Sequence, residues 1–301
     1  MRKLLCLLGI CLAAGCSKQE GGGPSVDSAA PGAMPGKKLV VVATIAPMYC
    51  FTKNVAGDLA DVEMIVPPGA PARGFVPTND QVRQVMAADV IVENGFGFED
   101  WMDKLDAQGL KDGAIRVIAA RGTGPGIPGL PGDPNTPPGP PPDLTGTADG
   151  SGASDSGPPD PHVWLDPVMA IKEVQNIRDA LMARDPANAN AYLANENQYE
   201  STLRDLDDQV GRTTVEITRR RLLCTDQTFT YFLSRYEFPL VTKATSASGV
   251  VIARGTDAGA LGAAGLPVIT LDAMESGTAS ADFYEKETLG NAQALREGLM
   301  R

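Results

Sequence analysis

The sequence predicts an α/β protein of two lobes, each a mostly parallel sheet covered by helices, joined by one long rigid helix. Three observations predict it. Between residues 38 and 119 short β-branched runs alternate with segments of helical period, the pattern of parallel strands joined by crossover helices. Tyr192, Tyr199, Leu203, Leu206 and Val210 then keep one apolar face. If continuous over 187–210, that stretch is a rod of about 36 Å. Beyond residue 218 the alternation of strand and helix resumes on a smaller scale.

The first lobe is expected over 38–186. Residues 39–45 suit a buried strand and 48–56 a helix. A second strand over 62–66 is closed by Pro67-Pro68-Gly69. Val82, Val85 and Met86 give 79–88 helical spacing, 89–92 is a third strand, and 98–105 a short helix with Trp101 and Leu105 on one face. A fourth strand occupies 115–119. Over 122–159 prolines and glycines recur with few large apolar residues, too little to bury, so a disordered loop within the lobe is expected.

Val163, Trp164 and Leu165 suit a short buried strand, and Asp166-Pro167 reads as an N-cap followed by a first-turn proline. Ile171, Val174, Ile177 and Leu181 mark the buried face of the next helix. Asp185-Pro186 restarts the chain, and the linking helix is expected over 187–218. A shortened second lobe, 219–301, holds strands over 222–225, 240–243, 250–253 and 268–271, with helices over 228–236 and 282–300.

The net charge of −11 argues against nucleic acid and against an electrostatic hold on anionic lipid. It suits a cationic ligand, or serves solubility alone. Met1-Arg2-Lys3, an apolar run over 4–14 and Gly15-Cys16 resemble a bacterial lipoprotein signal, so 1–16 is expected to leave Cys16 as the lipidated first residue. Residues 17–37, rich in Gly, Ser, Ala and Pro, are then a flexible tether. This places the protein in the cell envelope, on the extracytoplasmic side (periplasmic in a cell with two membranes), held by its lipid alone. Cys50 and Cys224 remain after processing, and spacing leaves open whether they pair or stay free thiols. There is no Walker loop, no Cys-x-x-Cys and no Ser/His/Asp set, so no enzyme is expected.

His162, the only histidine, lies in Asp160-Pro161-His162-Val163-Trp164-Leu165-Asp166-Pro167, between the long loop and a helix start. Local sequence allows a structural histidine or a ligand held by rigid elements.

Four stretches resemble the zinc/manganese-type substrate-binding proteins of ABC transporters, many of them lipoproteins. They are 54–58; Val66 to Ala70 continuing to Phe75-Val76-Pro77-Thr78; the Asp160–Pro167 motif; and 229–236 with Leu271-Asp272. The likeness covers most of 39–301. It implies a monomer of two α/β lobes with a divalent cation, zinc or manganese, held between them and passed to an ABC permease.

The ligand set departs from that family. The family's first histidine falls on Arg73, which cannot ligate a metal. The second is His162, the third falls on Asp226, and the fourth position is Asp272, with Cys224 as an additional donor near Asp226. One imidazole and two carboxylates suit manganese, ferrous iron or a weak zinc site. The alternative is a degenerate member in which Arg73 bridges Asp226 and Asp272, and another solute or a protein is bound. A hydrolase using Asp226 and Asp272 has nothing further behind it. Glu275 stands near Asp272, either at the site or exposed.

Overall fold

The computed structural model describes residues 37–106, 109–123, 160–224, 226–257 and 265–300. The expected signal and lipidated Cys16 lie outside the described residues, as do nearly all of the tether and of the 122–159 loop.

A four-stranded parallel sheet, ordered β2-β1-β3-β4, is built from β1 (Leu39–Ala43), β2 (Ala60–Met64), β3 (Val90–Glu93) and β4 (Ile115–Ile118). Val41, Val42 and Ala43 of β1 and Val90, Ile91 and Val92 of β3 are wholly buried, as central strands covered on both faces must be. Between the strands run α1 (Ala46–Ala56), α2 (Asn79–Ala87) and the short α3 (Met102–Asp106). Thr78 caps α2 in a reciprocal pair with Gln81. The helix expected over 98–105 begins only at Met102. Gly95, Phe96 and Gly97 all have positive φ and keep the preceding chain in turns.

Residues 162–165 form one 3-10 turn, not the expected strand. Pro161 is already in the helical region and starts the turn. Asp166, extended before Pro167, caps α4 (Pro167–Arg184) by accepting from the amides of Val168 at 2.8 Å and Met169 at 3.4 Å. The long helix α5 covers Ala189–Thr214 and packs on α1, α4 and α7 (Phe283–Leu299).

The second sheet, ordered β5-β6-β7, has three parallel strands: β5 (Leu222–Cys224), β6 (Gly249–Ala253) and β7 (Val268–Leu271). The strand expected at 240–243 reduces to one bridge between Leu240 and Leu222, because the chain turns again at 244–246. The helix α6 (Thr230–Arg235) lies against the 162–165 turn. Buried side chains of both sheets, including Val41 and Leu271, belong to one contiguous apolar core with Trp164 and Leu203.

Candidate metal-binding cleft

His162 opens the 3-10 turn, 6% exposed, its ring edge-on to Phe98 at 5.9 Å and to Trp164 at 5.2 Å. Asn94 donates to the Pro161 carbonyl at 2.9 Å and fixes the turn from below. Asp160 Oδ1 lies 2.6 Å from His162 Nδ1 and also accepts the His162 amide at 3.1 Å. The other oxygen, Oδ2, is buried and meets no hydrogen-bond partner among the described residues. On the far side of the ring, Nε2 is 2.8 Å from Glu275 Oε1. A carboxylate on Nδ1 fixes the ring orientation, the arrangement by which proteins orient a ligating imidazole, and the Nε2 lone pair would face the cleft once Nε2 gives up the proton it shares with Glu275. Burial opposes charge on this ring, but hydrogen bonds and charges from Asp160 and Glu275 outweigh it and raise the His162 pKa.

Glu275 arrives on the irregular segment after β7, one-third exposed. Four bonds tie that segment to the first sheet's elements. Trp164 Nε1 donates to Ala273 O at 2.9 Å, and the Gly69 amide to Ser276 Oγ at 2.5 Å. Asn54 Nδ2 and Cys50 Sγ donate to Ala281 O at 2.7 and 3.0 Å. The path of the segment therefore places Glu275, the residue that sequence left between site and surface.

The other expected site residues divide. Arg73, Asp226 and His162 line one open cleft of about 460 Å³ together with Phe96, Asp160 and Glu275. Asp226 accepts the Thr228 amide at 2.9 Å. Asp272 does not line this cleft. Its Oδ2 is 2.5 Å from Arg254 Nη1, and its Oδ1 accepts the Met274 amide at 2.7 Å. The anticipated bridge from Arg73 to Asp226 and Asp272 is thus not formed among the described residues. The Arg73 guanidinium instead lies 4.9 Å over the Phe98 ring, and Arg254 holds Asp272.

Cys224 also stands outside the lining, and burial plus the Asp226 charge pushes its thiol up to about 12. Cys50 and Cys224 are both free. Cys50 instead faces Tyr199 Oη at 3.5 Å. Among the described residues no three His, Cys, Asp or Glu side chains are grouped closely enough to hold a metal ion by themselves.

Comparison with known proteins gives one family. A family profile described as "ZnuA: Zinc-uptake complex component A periplasmic" matches residues 41–258. The chain is 31% identical over 202 residues to the high-affinity zinc uptake system protein ZnuA of Bacillus subtilis, covering 67% of this chain and 59% of that protein. It is 29% identical over 234 residues to the manganese-binding lipoprotein MntA of Halalkalibacterium halodurans, covering 76% of this chain and 65% of that one. The chain therefore spans under two thirds of the length of these relatives. The fold matches the Zn(II)-bound ZnuA-like domain of Streptococcus pneumoniae AdcA with a TM-score of 0.66, 24% identity, and coverage of 88% of this chain and 100% of that one.

Proposed function

We propose, from the premise that this chain belongs to the periplasmic zinc-uptake component A family, that it receives a divalent cation at His162 and passes it to an ABC permease. The observation that carries this is the imidazole itself. Asp160 holds Nδ1 at 2.6 Å, and Nε2 points at the Glu275 carboxylate 2.8 Å away, at the edge of an open cleft. The two carboxylates hold the ring in place beside the cleft, and a dication displacing the Nε2 proton would find a nitrogen and an oxygen already aimed.

Asp226 lines the same cleft and supplies a second carboxylate. Asp272, tied to Arg254, does not line the cleft, so Glu275 takes the place the resemblance gave it. A nitrogen with two carboxylates suits manganese, or zinc held weakly with outside ligands completing the shell. The protein performs no chemistry on its cargo. It acts as a monomer on the extracytoplasmic side of the cell envelope, anchored through lipid on Cys16. Among the described residues no helix is long and apolar enough to cross a membrane.

Calorimetric titration of the metal-stripped domain from Lys18 onward tests this with zinc and manganese, each in buffer with and without citrate. One-to-one binding that His162→Ala abolishes is expected. Absence of heat in both media with both ions would sink the reading.

A further inference from the structure

The cleft carries a cation of its own that a bare metal ion leaves unexplained. Arg73 comes from the loop after β2 and lines the space that also holds His162, Asp226 and Glu275. Its guanidinium rests 4.9 Å over Phe98. No ion pair ties it to a carboxylate among the described residues, although acidic groups line the same cleft. Stacking on an aromatic face leaves the donor edge of the guanidinium free, and that edge matches a carboxylate with two parallel hydrogen bonds. A dication alone would be repelled by this group.

Two further observations bear on what fills the cleft. Its volume of about 460 Å³ is in the range of pockets that enclose small organic molecules, and a bare ion occupies only a small part of it. The protein donors are also few. His162 Nε2, Glu275 and Asp226 leave several positions open on any six-coordinate ion, and no three donors among the described residues, these included, are grouped closely enough to hold an ion without outside ligands. The ion lacks ligands, and the arginine lacks an anion. One molecule meets both needs.

We propose that the cleft takes the divalent cation together with a small carboxylate chelator, between oxalate and citrate in size. The metal sits among His162, Glu275 and Asp226, and one carboxylate of the chelator pairs with the Arg73 fork while the others complete the coordination shell. This rests on the cation reading above and adds a co-ligand to it. The guanidinium then rejects an uncomplexed dication and selects a complexed one, a case of specificity built from repulsion as well as attraction.

Equilibrium dialysis of the metal-stripped domain tests it, using labelled oxalate or citrate with and without manganese or zinc, and metal and label counted separately. The expected result is one carboxylate retained per bound metal and none without metal. Arg73→Ala should lower the carboxylate retained per bound metal at least tenfold. Arg73→Lys, which keeps the charge and loses the fork, should fall between. Metal retained without carboxylate would overturn the co-ligand and leave the cation reading standing, as would carboxylate retention equal in Arg73→Ala. Carboxylate retained without metal would overturn both and make this an anion site. Retention of neither would likewise end both.

Discussion

Arg254 Nη1 lies 2.5 Å from Asp272 Oδ2, and Asp272 is not among the residues lining the cleft that holds Glu275 and His162. Asp272 directly follows β7 at 8% exposure, its second oxygen accepting the Met274 amide at 2.7 Å. With both oxygens committed, it is Glu275, three residues further on, that reaches His162. Alanine at Glu275 should therefore weaken manganese or zinc binding by more than alanine at Asp272, by calorimetry on both variants. The reverse order would return the role to Asp272. Arg254→Ala should lower stability by about 1 kcal/mol, a value kept small because Arg254 is 65% exposed.

Asp160 makes no contact with cargo in this account. It acts by holding Nδ1 of His162 at 2.6 Å. Asp160→Asn presents an amide there and loosens both the tautomer and the ring. Metal affinity should drop about 10- to 100-fold without loss of fold. Unchanged affinity in a titration of this variant would remove Asp160 from the site.

The proton on His162 links pH to both stability and binding. The folded pKa is raised, so this group stabilises the metal-free protein fully below its unfolded pKa of about 6.5. That contribution is lost as pH rises through the folded value. Metal binding has the opposite sign, since Nε2 must give up its proton, and affinity should climb with pH. Urea unfolding of wild type and His162→Ala at several pH values should show their stability difference shrinking from pH 6 to pH 8. A difference constant with pH would refute the assignment.

Glu173 of α4 is wholly buried, and neither carboxylate oxygen meets a donor among the described residues. Burial first, and the Glu99 charge second, raise its pKa well above the ordinary range. The folded chain thus keeps a proton that the unfolded chain releases, and stability falls as pH rises from the unfolded value toward the folded one. Glu173→Met should stabilise by about 1–3 kcal/mol at pH 8, and by less at pH 5. Denaturant midpoints at the two pH values provide the check. A loss of stability at both would mean that the carboxyl group has a partner in solution.

Both described cysteines are unpaired and held as thiols. Burial and the Glu285 charge push Cys50 up to about 12, and burial with the Asp226 charge does the same for Cys224. A thiol reagent should modify the folded domain from Lys18 far more slowly than the urea-unfolded one, which should release two equivalents. Fewer than two equivalents after unfolding without reductant would reveal a disulfide.

Local information carried most of the fold. The β-branched runs of β1 and β3, the helical spacing after residue 78 and the Asp166-Pro167 helix start are near-neighbour patterns, and each forms where the sequence places it. The cleft was legible as far as His162, because its motif is contiguous. Arg73 and Asp226 also face that cleft. What the sequence by itself could not determine is which distant groups meet. Glu275 and His162 are 113 residues apart, and only the path of the segment after β7 brings them together. That path is set by bonds from Gly69, Trp164 and Asn54. Arg254 likewise takes Asp272 out of the cleft through a contact between the ends of neighbouring strands β6 and β7. Periodicity and caps fix elements because their physics acts within a few residues. Ion pairs and cleft linings are settled by packing across the whole chain, which only the tertiary structure decides.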